Sequence, residues 1–230
     1  PWLHLYSEAE VENEIERAED AIEGATGVRP TGFRGPGFSV SPTVLRVLAK
    51  RGYQYDASTF PTYLGPLARA YYFATSKLSP EEKAKRKQLF GKLREGLRPL
   101  QPYRWATEPR PLPEIPVTTM PWLKVPFHLS YILYLASYSR IAALNYFRAA
   151  LMMCRVARVR PSLLLHPLDF LGGVDVAELA FFPAMSMTGE RKMQLSGEAI
   201  DMYARWFAPV TMARHAEVIR PTPAVALSRF

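Results

Sequence analysis

The fold class turns on the stretch Ser162-Leu163-Leu164-Leu165-His166-Pro167-Leu168-Asp169-Phe170-Leu171-Gly172-Gly173. Three leucines without alternation suit a strand buried on both faces, as in a parallel sheet. Pro167 has no N–H for a ladder, so such a strand stops there. His166 is then expected at the C-terminal end of a buried strand. In α/β barrels catalytic side chains emerge at that end, while the strand body only packs. The alternative is a histidine that closes a strand and does no chemistry.

The surrounding chain has 230 residues, enough for one large domain or two small ones. It is 48% hydrophobic and 22% charged, a globular composition, and its 21 prolines imply loops and short elements. The net charge of +8 is unevenly spread. Residues 7–24 hold eight acids against one arginine, and residues 77–110 hold ten basic groups against four acids. That asymmetry fits either a local anionic partner or two solvated helices of opposite sign. The single cysteine, Cys154, excludes an intrachain disulfide and a Cys-rich zinc site. No secretory signal and no apolar run long enough to span a bilayer cleanly is present. The chain opens Pro1-Trp2-Leu3-His4 immediately before a helix, and is read as the downstream portion of a longer protein.

Residues 7–24 predict a helix. Ser7 and Glu10 form a capping box, and Val11, Ile15, Ala18 and Ile22 make one apolar stripe. Gly24 or Gly27 ends it, and its acidic face is expected to be solvated. After Thr26-Gly27-Val28-Arg29-Pro30 comes Thr31-Gly32-Phe33-Arg34-Gly35-Pro36-Gly37-Phe38-Ser39. Three glycines and a proline around one arginine predict a shaped loop, and that guanidinium suits bidentate pairing with a carboxylate. Ser41-Pro42 caps a second helix, which stops at Gly52. Tyr53-Gln54-Tyr55-Asp56-Ala57-Ser58 alternates as a strand with Asp56 at its end.

This order of elements resembles the polysaccharide deacetylase superfamily, carbohydrate esterase family four. The resemblance rests on the helix, Thr26-Gly27-x-x-Pro30, Arg34-Gly35-Pro36-Gly37, the capped helix and Gly52-Tyr53-x-Tyr55-Asp56-Ala57-Ser58. Leu165-His166-Pro167 resembles the last motif of that family. The likeness covers residues 1–58 and 161–217 and is loose between them. It implies an α/β fold, an incomplete TIM-like (β/α) deacetylase barrel truncated at its N-terminus, with a helical insertion at 60–110 and a tail from 220. It implies a hydrolase that removes an N-acyl group from an amino sugar of a polysaccharide, a glycan or a lipid-linked sugar. His166 matches the histidine that protonates the departing amine, a duty suited to a residue type that titrates near neutrality. Arg34 matches the arginine that holds the catalytic aspartate. Pro36 and Gly37 are expected beside the substrate. Asp56 or Asp169 orients His166 or binds sugar hydroxyls. The family also carries a Thr-Phe-Asp-Asp-Gly strand end and a His-x-x-x-His motif, which supply the base and the ligands of a divalent metal, commonly zinc. Neither motif occurs here. The register places the second metal histidine just before Pro1, so a metal ligand is expected from no residue of this chain, which alone would be inactive.

Residues 60–110 combine an aromatic run, including Tyr63, Leu64, Leu67, Tyr71, Tyr72 and Phe73, with a basic helix opened by Ser79-Pro80. This insertion fits an anionic membrane surface or a lipid phosphate, and equally a solvated helix with a core face. A non-catalytic membrane- or polyanion-binding module is therefore the rival reading. Nucleic acid is not expected, since no binding motif accompanies the charge. Residues 112–118 predict a strand, and the mostly apolar 127–159 predicts either a basic amphipathic helix or two packed helices with solvated arginines. A helix at 190–207, a last strand or its remnant at 208–212 and a closing helix from Met212 follow. Residues from 220 onward read as poorly ordered. Among the four histidines no pair has helical metal-ligand spacing; His128 and His215 are expected at surfaces or helix ends.

Overall fold

The computed structural model describes residues 3–66, 93–219 and 224–227. The chain forms two compact units, Pro1–Pro116 with Val210–Phe230, and Val117–Pro209. Most of the basic and aromatic segment, residues 67–92, lies outside the described residues.

The first unit is built on a five-stranded mixed sheet. Its strands are β1 (Gly32–Phe33), β2 (Tyr55–Asp56), β3 (Tyr103–Trp105), β4 (Leu112–Glu114) and β5 (Ala224–Val225), in the order β1-β2-β4-β3-β5. β1, β2 and β4 are parallel, β3 runs antiparallel to β4, and β5 is parallel to β3. The segment from 220 was expected to be poorly ordered, yet Ala224 and Val225 add an edge strand. Its backbone groups pair with β3, which offsets the entropy of ordering a chain end.

Helix α1 (Glu8–Thr26) starts at the Ser7 capping box and ends at Gly27, whose left-handed φ of 72° suits glycine. Its buried stripe differs from the expected one. Val11 and Ile15 are buried, but the third position is Glu19, while Ile22 is exposed. Arg29 and Arg51 reach Glu19 from the following segments, so the carboxylate is neutralised where an apolar residue was expected. Helix α2 (Pro42–Lys50) is capped by Ser41 and buries Val44, Leu45, Val47 and Leu48 against Trp105 and Leu112. Each such side chain contributes at most about 1.5–3 kcal/mol.

The second unit is helical. α3 (Leu129–Ala136) buries Leu129, Ile132, Leu133 and Ala136, and α4 (Arg140–Val156) buries Ala143, Phe147, Ala150, Leu151 and Cys154. Region 127–159 is thus two packed helices; the Ser139 side chain accepts from Ala142 N and restarts the chain as α4. α5 (Gly189–Trp206) buries Lys192, Leu195, Ser196 and Ala199. The expected strand at 208–212 is absent, because Thr211 caps α6 (Met212–Val218) in the first unit.

The leucine run also departs from expectation. Residues 162–165 join no ladder. Leu164 is buried while Leu165 is 42% exposed, so the run is not covered on both faces. Ser162 and Thr118 replace ladder bonds with side-chain ones: Ser162 N donates to Thr118 Oγ1 at 2.8 Å, and Thr118 N to Ser162 Oγ at 3.1 Å.

Candidate active site

In the first unit the sequence around Arg34 folds into a tight turn. A Cβ on Gly35 would lie 1.9 Å from the Ser39 carbonyl oxygen, a fixed backbone atom, so only glycine fits. Gly37 takes a φ of 61° within the turn Pro36–Phe38, and Pro36 and Gly37 are both exposed. Arg34 Nε donates to Ala57 O at 3.0 Å. Arg34 reaches solvent, but the protein around its guanidinium lowers the pKa, against the opposing pull of Asp56, Tyr55 and Glu114. An arginine starts high enough to stay charged regardless.

Beneath this turn lies a row of buried polar groups. Asp56 accepts from Ser58 Oγ at 2.6 Å, and Ser58 Oγ accepts from Gly35 N at 2.8 Å. The end of β2 therefore holds the Arg34 turn through one serine. Glu114 accepts from Thr59 N at 3.0 Å, from the Thr59 hydroxyl, and from Trp105 Nε1 at 2.9 Å. Asp56 and Glu114 are both fully buried.

In the second unit His166 precedes the one-turn helix Pro167–Asp169. Two bonds close that turn: His166 N donates to Asp169 Oδ2 at 2.7 Å, and Asp169 N to His166 O at 2.9 Å. Ser130, on the first turn of α3, donates to Asp169 Oδ1 at 2.6 Å and sits 3.0 Å from His166 Nδ1. The direct Nδ1 to Oδ2 distance is 3.7 Å, beyond hydrogen-bond range, so the link between ring and acid runs through Ser130. Burial pushes Asp169 up, but the neighbouring His166 ring, the Ser130 hydroxyl and His166 N together outweigh it, and the carboxyl ends below its ordinary value. The His128 ring meets His166 edge-on at 5.6 Å and Tyr131 at 4.6 Å. The His166 side chain remains 43% exposed, with Nε2 bonded to no described residue.

Within the second unit Asp169 lies with His166, and within the first Asp56 lies with Ser58 and Glu114. Arg34, Pro36 and Gly37 share one turn. His128 caps α3 and is 7% exposed, a helix end as expected but not a surface. Ser130, Glu114 and the closeness of His128 to His166 were missed. Ser130 carries no local signal, and only the capping potential of an acid three residues after His166 hinted at the closed turn.

A polysaccharide deacetylase family model matches residues 1–55, the segment that contains α1, the Arg34 turn and α2. Over those residues the chain is a polysaccharide deacetylase domain. No curated protein and no solved structure matches the chain. The deacetylase match stops one residue before Asp56 and does not reach His166. Deacetylases of this kind are generally metal-dependent. Among the described residues no three His, Cys, Asp or Glu side chains cluster as metal ligands. A catalytic zinc takes about three protein ligands, so the described residues by themselves do not fit the metal.

Proposed function

We propose that this polysaccharide deacetylase domain serves the hydrolysis of an N-acyl group from an amino sugar of a glycan or lipid-linked saccharide. The observation that carries the reading is His166: half-exposed, held at Nδ1 by Ser130, which is itself bonded to Asp169, with Nε2 bonded to no described residue. In N-deacylation a water oxygen bonds to the acyl carbon, the carbon–nitrogen bond breaks, and the departing amine needs a proton. Protonated His166 delivers that proton from Nε2 and is left as a neutral ring. Arg34 is proposed to steady a carboxylate base, the role the resemblance assigns it; that base belongs to a motif not found in these 230 residues. Pro36 and Gly37 present the exposed rim of the Arg34 turn to sugar, and Asp56 supports that turn from below through Ser58. The parallel pairing of β1, β2 and β4 supports an incomplete TIM-like barrel as the parent architecture.

The test is acetate release from N-acetylated oligosaccharides by the native protein and its His166→Ala variant. Loss of a general acid lowers turnover by about two to four orders of magnitude, with the melting temperature little changed because the side chain is half-exposed. Near-wild-type turnover removes His166 from the reaction.

A further inference from the structure

We infer that Ser130 fixes the tautomer of His166, so that Nδ1 keeps its hydrogen and Nε2 is the atom that gains and loses the proton. A serine hydroxyl has one hydrogen to donate. The ionised Asp169 has none to offer, so the 2.6 Å bond between Ser130 Oγ and Asp169 Oδ1 uses the serine's hydrogen. The same oxygen lies 3.0 Å from His166 Nδ1 and can only accept there. Nδ1 must therefore carry a hydrogen. The backbone removes the other freedom: Asp169 Oδ2 is held by His166 N at 2.7 Å, so the carboxylate cannot swing to take Nδ1 directly.

The arrangement is an Asp–Ser–His relay in which the serine is a positioning residue. Its hydroxyl lies between acid and ring, and nothing in the geometry frees it to attack a substrate. The surroundings favour the same state. Lys192 Nζ donates to Leu168 O at 2.8 Å and Leu171 O at 2.7 Å, holding the turn that contains Asp169. Ser196 Oγ bonds Asp169 O at 3.4 Å from α5. The turn is thus clamped from α5 while the ring is set from α3. The consequence for chemistry rests on the proposed deacylation: a ring that has delivered its Nε2 proton relaxes into the tautomer Ser130 already supports, so no ring rotation separates delivery from recharging.

Nitrogen NMR of the imidazoles in the full chain tests the inference without substrate. Only four histidines are present, so His166→Gln assigns the His166 signals by their disappearance. With the ring neutral, the Nδ1–H tautomer is expected to exceed Nε2–H by about tenfold, the ratio one net hydrogen bond supplies. Ser130→Ala is expected to lose that bias, and Ser130→Thr to restore it. A native His166 with mostly Nε2–H overturns the inference, as does a Ser130→Ala protein with an unchanged ratio. Neither outcome depends on acetate release: if His166 is Nδ1–H but His166→Ala still turns over, the relay stands and the deacylation role falls.

Discussion

Asp56 and Glu114 are register partners at the ends of the parallel strands β2 and β4, and neither exposes any surface. Their donors are divided unequally. Glu114 accepts from Thr59 N, the Thr59 hydroxyl and Trp105 Nε1, whereas Asp56 accepts from Ser58 and leaves Oδ2 without a partner among the described residues. A bare buried carboxylate oxygen is costly. Protonating Asp56 lets Oδ2 donate toward Glu114. Burial, followed by the charge of Glu114 and a hydrogen bond to it, pushes Asp56 well above the carboxylate range, against the pull of Ser58.

This predicts that the contribution of Asp56 to stability falls as pH rises. Its folded pKa is raised, so the native state keeps a proton that the unfolded chain has lost. The contribution is complete below about pH 4 and is lost as pH rises through the folded value. Asp56→Asn, neutral throughout, is expected to stay within about 1 kcal/mol of wild type at pH 7 and to flatten that slope. Urea unfolding across the pH range reads both; a large loss in Asp56→Asn at pH 7 would mean that the acid is ionised.

Glu19 predicts the opposite slope. Hydrogen bonding from Arg51 lowers its pKa most, burial opposes, and the charges of Arg51 and Arg29 add to the lowering. Its stabilisation is present above about pH 4.3 and is lost as pH falls through the lower folded value. Glu19→Ala is expected to cost about 1–3 kcal/mol, less than a fully buried pair because both arginines reach solvent. Glu19→Gln should weaken the acid-side fall. An unchanged acid limb in Glu19→Gln would sink the assignment.

The Arg34 turn predicts unequal costs at its glycines. Gly37→Ala meets no neighbouring atom and costs only the left-handed conformation, about 1–2 kcal/mol. Gly35→Ala drives a methyl into the Ser39 carbonyl and must displace the backbone, at about 3 kcal/mol or more. Thermal unfolding of the two variants ranks them, and equal melting temperatures would contradict the turn geometry.

Lys192 is 1% exposed, and burial lowers its pKa against the opposing charges of Asp169 and Asp175. Lys192→Met removes the ammonium from Leu168 O and Leu171 O, and is expected to destabilise the protein by about 1–3 kcal/mol. Hydrogen exchange should quicken around residues 166–171 before it does in α4. Uniform protection in the variant would show that the clamp does not hold the turn.

Short-range signals were readable from the chain. The caps at Ser7, Ser41 and Gly27 and the glycine turn at Arg34 all depend on residues within a few positions of one another. Propensity, capping and periodicity act over that distance. The leucine run misled because an apolar stretch of three records burial but not ladder partners. Here Ser162 and Thr118 side chains took the backbone bonds that a neighbouring strand would have used.

What the sequence by itself determined was helices α1, α2, α5 and α6, the Arg34 turn and the match of residues 1–55 to the polysaccharide deacetylase family. Only the tertiary structure decided which acid serves which partner. Asp56 and Asp169 looked interchangeable in the chain. Strand register set Asp56 opposite Glu114, 58 positions away, and helix α3 brought Ser130 to Asp169, 39 positions away. Pairings over such separations depend on how elements pack, and no local propensity encodes them. The same reason makes Glu19 buried and Ile22 exposed: periodicity marks the face of a helix, while the arginines that reach across to that face decide which polar residue it can hold.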